Sequence, residues 1–173
     1  MKTFSLHHFP LENKTILLRV DYNVPLEEIK KTFSSPSYLH KALQKRKVLD
    51  NRRIRETLPT IEFLLEKKCK VIIAAHLGRP EGKIVEEFKV APLGRELRKL
   101  LPKVKITDVH DCIGEEVKNT ISYGKQGEIF FLENLRFYKE EEENNPIFAH
   151  ALSDLADVYV NEAFSNSHRK HAS

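Results

Sequence analysis

Short apolar segments alternate with segments of helical period along this chain. Branched apolar residues fill Ile16–Val20, Lys70–Ala75 and Glu128–Leu132, and weaker runs occupy Val104–Thr107 and Val158–Val160. Runs of this length, bounded by polar residues, are typical of β-strands. The near-continuous apolar run KVIIAA indicates a strand that is covered on both faces.

Helical periodicity occupies the segments between these strands. Arg52–Lys68 places Ile54, Leu58, Ile61, Leu64 and Leu65 on one stripe, which predicts an amphipathic helix. Further helices are predicted at Ala91–Leu101, Ile113–Ile121 and Pro146–Leu155. Proline suits a first helical turn, and Asn145 before Pro146 is a typical N-cap.

Alternation of strands with helices predicts an α/β fold with a doubly wound parallel sheet. Parallel strands need crossover connections, and these place helices on both faces of the sheet. Two polar stretches are predicted to be exposed loops. One is the long basic segment Glu27–Asp50, and the other is the run of carboxylates Glu140–Glu143.

Polar and charged residues, together with one glycine, follow several of the predicted strands. They are Asp21, Asn23, His76, Gly78, Arg79, Asn134, Arg136, Asn161, His168 and Arg169. Arg53 opens the first long helix near the same end. In an open parallel sheet, ligands bind in the crevice beyond the carboxyl ends of the strands, so these residues are candidates for a binding site.

The arginines in this set favour an anionic ligand. Arginine is almost never fully buried without a partner, so a core role does not explain them. Like charges gathered at one edge repel each other, and the arrangement is tolerated when an anion is the intended counter-ion. The planar guanidinium group suits bidentate binding of phosphate or carboxylate, so the sequence predicts a site for a small polyanion.

Composition narrows the class of protein without choosing the anion. The chain has 173 residues, of which 40% are hydrophobic and 31% charged, as expected for one globular domain. We expect a cytoplasmic protein, because no export signal opens the chain and Cys69 and Cys112 form no CxxC pair. The net charge of +4 fits nucleic acid, a membrane surface or phosphorylated metabolites equally well.

Several familiar motifs are absent or incomplete. Gly78–Lys83 is one residue short of the G-x-x-x-x-G-K phosphate loop, and Ile84 replaces its hydroxyl residue. His168 and His171 lack further ligands at zinc-site spacing, so we expect no metal site. No stacking aromatic residues interleave the arginines on a single strand, which argues against a nucleic-acid partner.

Five segments together resemble the N-terminal domain of phosphoglycerate kinase. They are LLRVDYNVP (Leu17–Pro25), RRIRETLPTIEFLLEK (Arg52–Lys67), HLGRPEGK (His76–Lys83), LENLRFYKEEE (Leu132–Glu142) and LADVYVNEAFSNSHRKHAS (Leu155–Ser173). The resemblance covers nearly the whole chain except Leu26–Asn51. It implies a Rossmann-like, substrate-binding domain over residues 1–173, with residues 26–51 as a loop insertion and with the nucleotide-binding domain of the family absent from this sequence.

The resemblance also implies a reaction. The family transfers a phosphoryl group between 1,3-bisphosphoglycerate and ADP, giving 3-phosphoglycerate and ATP in glycolysis, with Mg²⁺ on the nucleotide in the absent C-terminal domain. The implied substrate-binding residues are Asp21, Tyr22, Asn23, Arg53, His76, Leu77, Gly78, Arg79, Arg136 and Arg169. In that scheme Asp21 and Asn23 hold the glycerate hydroxyl group, and Arg53 is catalytic. His76, Arg79, Arg136 and Arg169 clamp the phosphate that is not transferred.

Two departures from the family pattern bear on the site. Residues 26–51 are longer than the usual connection before the Arg53 helix, and Ser165-Asn166 replaces the usual Gly-Thr. An alternative function is a stand-alone domain that binds 3-phosphoglycerate without turnover. We expect the 173-residue chain alone to be a monomer without membrane partners and without turnover, since closure of two domains completes such sites.

Overall fold

The described part of the protein is built on one five-stranded parallel sheet. The computed structural model describes residues 6–28, 37, 39, 43 and 45–173. The strands, in chain order, are β1 (Thr15–Arg19), β2 (Lys70–Ala74), β3 (Ile106–Asp108), β4 (Ile129–Phe131) and β5 (Val158–Asn161). They lie in the order β3-β4-β2-β1-β5, and every pairing is parallel. The sheet predicted from the apolar runs is therefore confirmed.

Helices cover both faces of this sheet. The described α-helices are α1 (Arg52–Glu56), α2 (Leu58–Glu66), α3 (Ala91–Leu100), α4 (Glu115–Tyr123), α5 (Lys139–Glu142) and α6 (Pro146–Ser153). On one face, α1, α2 and α3 pack against Ile16, Leu18 and Val71. On the other face, α4 and α6 pack against Leu17 and Ile72. Alternate residues of β1, β2 and β4 enter opposite cores, as the pleat requires, which confirms the doubly wound α/β fold.

The helix predicted over Arg52–Lys68 is interrupted. It forms two helices, α1 and α2, that meet at Thr57, and Pro59 lies in the first turn of α2. Proline has no N–H to donate to the carbonyl four residues earlier, and its ring clashes with that carbonyl, so a helix kinks or breaks at this point. The Thr57 hydroxyl group donates instead to the carbonyl oxygen of Ile54 at 2.9 Å.

The predicted N-cap at Asn145 is confirmed. Its side-chain oxygen accepts hydrogen bonds from the backbone N–H groups of Ile147 at 2.9 Å and Phe148 at 3.3 Å, at the start of α6. These bonds satisfy N–H groups that have no partner within the helix, and Pro146 has no N–H to satisfy.

The prediction of an exposed loop over Glu140–Glu143 is wrong. Lys139–Glu142 forms α5, and Glu141 is completely buried. Its carboxylate lies 3.5 Å from the guanidinium group of Arg19, which is itself buried at the end of β1. The prediction fails because one carboxylate of the acidic run is the counter-ion of a buried arginine, and this pairing draws Glu141 into the interior.

The segment Glu27–Asp50 lies largely outside the described residues. At its ends, Leu26 and Val48 form an antiparallel bridge, and the Glu27 N–H donates to the Lys47 carbonyl oxygen at 2.8 Å. The two ends of the predicted insertion are thus held together beside the sheet.

No described helix is both long enough and apolar enough to cross a bilayer. Helix α3, for example, has ten residues, whereas a membrane-spanning helix needs about 20. Cys69 and Cys112 are both free and buried.

Candidate anion-binding site

Parallel strands bring their following loops to one edge of the sheet, and hydrogen bonds join three of these loops. The Gly78 N–H, after β2, donates to the Asn23 side-chain oxygen, after β1, at 3.0 Å. Arg136, after β4, donates from Nη1 to the Gly78 carbonyl oxygen at 2.8 Å. Asn23, Gly78 and Arg136 therefore meet at the carboxyl edge, where the sequence places the candidate site.

Gly78 can make both bonds because it has no side chain. Its φ is +65°, in the left-handed region that L-residues with a side chain rarely adopt. A Cβ at this position would lie 2.3 Å from Cε1 of Phe88, far inside contact distance. Glycine is thus the only residue that fits this link between the loops.

The side chain of Asn134 holds the loops that follow β2 and β4 in place through four hydrogen bonds. It is completely buried, and its amide nitrogen donates to the carbonyl oxygens of Leu77 and Phe88, both at 2.8 Å. Its side-chain oxygen accepts from the Arg136 N–H at 3.1 Å and the Leu77 N–H at 3.3 Å. Leu77 is itself buried, so its part in the site is to shape the backbone beside Gly78.

Arg136 is a buried cation with further cations around it. Its side chain is 3% exposed, and its Nε lies 3.3 Å from a carboxylate oxygen of Glu142. Burial lowers the pKa of Arg136, and the charges of Arg169 and Arg79 lower it further, against the opposing effect of Glu142. Arg79 and Arg169 are exposed. Arg79 and Arg169 thus each lie close enough to Arg136 to repel its charge, which favours an anion beside Arg136.

Asp21 and Arg53 form the neighbouring part of the edge. Nη1 of Arg53 pairs with one carboxylate oxygen of Asp21, and the Ser165 hydroxyl group donates to the same oxygen. Burial alone would raise the pKa of Asp21, but the bonds from Ser165 and the Asn23 N–H and the charge of Arg53 hold it below its usual value. The departure at Ser165 therefore lies in direct contact with a candidate site residue.

A cleft of about 330 Å³ opens beside this pair. Its lining residues are Asp21, Arg53, Glu56, Thr57, Glu162, Phe164 and Ser165. The cleft gives a small molecule access to the carboxyl edge between β1 and β5.

His76 is neutral and nearly buried. Its side chain is 3% exposed, and Nη2 of Arg19 lies 3.2 Å from its Nδ1. Burial, followed by the charges of Arg19 and Arg136, lowers the pKa of His76 to about 3. At neutral pH it can therefore take part in anion binding only as a hydrogen-bond donor.

Tyr22 lies behind the site rather than in it. Its ring is completely buried against Phe131, and its hydroxyl group shares a 2.5 Å hydrogen bond with Thr57. Burial raises the pKa of this hydroxyl group. Its side chain therefore anchors the loop that carries Asp21 and Asn23.

Sequence reasoning missed Arg19, which contacts His76, and Glu141, which pairs with Arg19. The available signal was Arg19 itself, a charged residue inside the apolar run ILLRV. A cation inside a buried strand demands a buried counter-ion, but nothing local identifies which carboxylate supplies it.

Comparison with known proteins identifies the family of the chain. Residues 6–173 match the family model described as phosphoglycerate kinase. The chain is 47% identical over 173 residues to phosphoglycerate kinase of Moorella thermoacetica, covering 100% of this chain and 39% of that protein. It is 46% identical over 163 residues to the Dictyoglomus turgidum protein of the same name, covering 94% of this chain and 36% of that protein.

The fold is shared with solved structures as well. The crystal structure of phosphoglycerate kinase from Pyrococcus horikoshii OT3 superimposes with a TM-score of 0.77 at 32% identity, over 98% of this chain and 39% of that one. The chain thus spans well under half the length of the relatives it matches. The family match extends over nearly every residue, and the chain belongs to the phosphoglycerate kinase family.

Proposed function

We propose that the carboxyl edge of this sheet binds 3-phosphoglycerate or 1,3-bisphosphoglycerate for the phosphoglycerate kinase reaction. The observation that carries the proposal is the buried guanidinium group of Arg136, joined to Gly78 and flanked by the charges of Arg79 and Arg169. A dianionic phosphate placed among them relieves the repulsion that the unliganded cluster carries.

The phosphate end of the substrate is assigned to the arginine cluster. Arg79 and Arg169 are exposed and able to turn toward a ligand, whereas Arg136 is fixed by its contacts. His76 adds a neutral donor. Hydrogen bonds between charged partners contribute about 1.5–3 kcal/mol each, so a few of them suffice for micromolar binding.

The glycerate end is assigned to Asp21, Asn23 and Arg53. The Asp21 carboxylate accepts a hydrogen bond from the substrate hydroxyl group, and the exposed Asn23 amide donates to it. Arg53 is half-exposed beside the cleft, where its charge stabilises the carboxyl group and the phosphoryl group that moves to or from it. Arg53 is accordingly the proposed catalytic residue.

In this reaction the residues of the site position the substrate and neutralise its charge. A carboxylate oxygen of 3-phosphoglycerate forms a bond to the γ-phosphorus of ATP as the bond to the β,γ-bridging oxygen breaks, and ADP leaves. The attacking oxygen is already ionised, so no general base is needed. Catalysis then rests on alignment and on neutralising the charge of the transferred group.

Nucleotide and Mg²⁺ are assigned elsewhere in the full-length enzyme. Within the part of the chain that the structure describes, no group of three or more His, Cys, Asp or Glu side chains could hold a metal ion. The proposal also includes ATP binding by that other part, a place in glycolysis, a monomeric chain and a cytoplasmic location.

Calorimetric titration tests the proposal. We expect 3-phosphoglycerate to bind the chain at one site and glycerol 3-phosphate, which lacks the carboxylate, to bind at least tenfold more weakly, since the Arg53 contact is lost. Equal affinities would mean that the cluster binds phosphate alone. A coupled ATP assay decides the alternative, a binding domain without turnover, which is the behaviour that we expect of these 173 residues by themselves.

A further inference from the structure

A buried ion pair lies beneath the anion cluster and takes no direct part in the proposed reaction. Arg19 ends β1 and is 3% exposed, and Glu141 in α5 is completely buried. Buried ion pairs contribute little to stability compared with apolar residues of the same volume, because both charges lose their hydration. A role in orientation accounts for this pair better than stability does.

Arg19 fixes the chemical form of His76. Its guanidinium group donates to the Val20 carbonyl oxygen at 2.8 Å and to the Ser173 hydroxyl oxygen at 2.7 Å, and Nη2 faces Nδ1 of His76 at 3.2 Å. Arginine has donors only, so Nδ1 of His76 must accept. The ring proton then lies on Nε2, which leaves that atom as the only ring donor.

Glu141 holds the segment that follows Arg169. Its two carboxylate oxygens accept from the Ser173 hydroxyl group at 2.5 Å and the Ser173 N–H at 3.0 Å. Its backbone carbonyl oxygen accepts from the Ala172 N–H at 2.9 Å. These bonds tie residues 172–173 to α5 and so limit where the backbone at Arg169 can lie.

We propose that Arg19 and Glu141 are positioning residues of the anion site: Arg19 holds His76 as the Nε2–H tautomer, and Glu141 neutralises Arg19 and docks the segment that carries Arg169. The functional meaning of this arrangement rests on the proposed function, because His76 and Arg169 are there assigned to the substrate phosphate.

The surroundings of His76 support a fixed neutral ring. Burial disfavours the protonation of His76 most. The charges of Arg19 from β1, Arg136 from the loop after β4 and His171 from the last segment act in the same direction, whereas the charge of Asp21 opposes them. His76 therefore presents one hydrogen atom to an anion and adds no charge to the cluster.

Long-range ¹H–¹⁵N correlation spectra of the imidazole rings test the first half of the proposal. In the unliganded 173-residue chain, we expect His76 to show the Nε2–H pattern, unchanged between pH 5 and pH 8. An Nδ1–H pattern, or an imidazolium at pH 7, would overturn the proposal, and this measurement needs no variant.

The double variant Arg19→Met/Glu141→Gln removes both charges together, so that neither is left buried alone. We expect mixed tautomers of His76, a pKa of His76 that is higher than in the wild type but still lowered by burial and by Arg136, and a Kd for 3-phosphoglycerate raised about tenfold, the loss of one hydrogen bond to an anion. The control is Arg98→Met in α3, which breaks the 2.6 Å pair with Asp108 and should change none of these three quantities. An unchanged tautomer and affinity in the folded double variant would contradict the proposal.

The docking half is tested with Ser173→Ala, which disturbs the Glu141 contact without removing a charge. We expect Kd for 3-phosphoglycerate to rise about threefold in the wild-type background and not at all in an Arg169→Ala background, because the two substitutions then act through one group. Additive effects would exclude docking of Arg169 as the cause. If wild-type protein binds no 3-phosphoglycerate, the proposed function fails, while the tautomer measurement still decides the role of Arg19.

Discussion

Nη1 of Arg136 lies 2.8 Å from the carbonyl oxygen of Gly78, and this contact joins the loops that follow β2 and β4. The two strands are neighbours in the sheet, and their crossover helices lie on opposite faces. The crevice between such strands is where open α/β sheets bind their ligands. Topology therefore sets the place of the site, and the Gly78–Arg136 link sets its shape.

Gly78→Ala should destabilise the protein and remove the site. Alanine at this position has to adopt the φ of +65° that glycine adopts freely, and its Cβ displaces the Phe88 ring. The two effects together cost about 2–4 kcal/mol of unfolding free energy. Gly127→Ala is the matched control, since Gly127 has φ of +82° but nothing within 4 Å of an added Cβ. Urea unfolding should show a loss of about 1 kcal/mol for the control. Equal losses would mean that the contact with Phe88 has no influence.

Arg169→Ala should weaken 3-phosphoglycerate binding about tenfold, because one charge-assisted contact to phosphate is lost. Lys170→Ala provides the comparison, since Lys170 is the next residue and is equally exposed. Calorimetric titration of both variants measures the difference. Similar losses in the two would show that general basicity, and not a defined cluster, attracts the ligand.

Asn134→Ala should cost about 2–3 kcal/mol, since it removes the donor to the buried carbonyl oxygen of Leu77 and to the partly buried carbonyl oxygen of Phe88. Asn145→Ala removes an N-cap far from the carboxyl edge and should cost about 1 kcal/mol. Chemical unfolding gives both values. Only the first variant should also weaken 3-phosphoglycerate binding, and a reversed order would contradict the role given to Asn134.

Stability should fall in acid because of His76. The pKa of His76 is lowered to about 3 in the folded protein, against 6.5 for an ordinary histidine. Between these two pH values the unfolded chain therefore binds a proton at this histidine that the folded protein does not bind. The stabilisation is present above pH 6.5 and is lost as pH falls toward 3. Between pH 7 and pH 5 the loss amounts to about 2 kcal/mol. His76→Gln should reduce this pH dependence of the unfolding free energy by that amount, and an unchanged slope would show that His76 titrates normally.

Local sequence signals predicted most of the fold. The apolar runs locate β1 to β5 within one or two residues, and the N-cap at Asn145 marks α6. The interruption at Thr57 also had a local cause, Pro59, which the apolar stripe conceals. Elements set by nearest neighbours along the chain can be predicted from periodicity and capping.

The support beneath the site could not be predicted in this way. Glu141 is one of four consecutive glutamates, and only the fold shows that it is the one facing Arg19. Likewise, the neutral state of His76 depends on Arg19 and Arg136, which are distant from it in the sequence. Burial and charge pairing between remote segments leave no periodic trace in a sequence.

The most direct test of the account is an amide chemical-shift map of the 173-residue chain titrated with 3-phosphoglycerate. We predict one saturable site, with the largest shifts at Asn23, Gly78, Arg79, Arg136 and Arg169, all at the carboxyl edge of the sheet. Shifts scattered over the basic surface, or none at millimolar ligand, would contradict a defined substrate site on this edge.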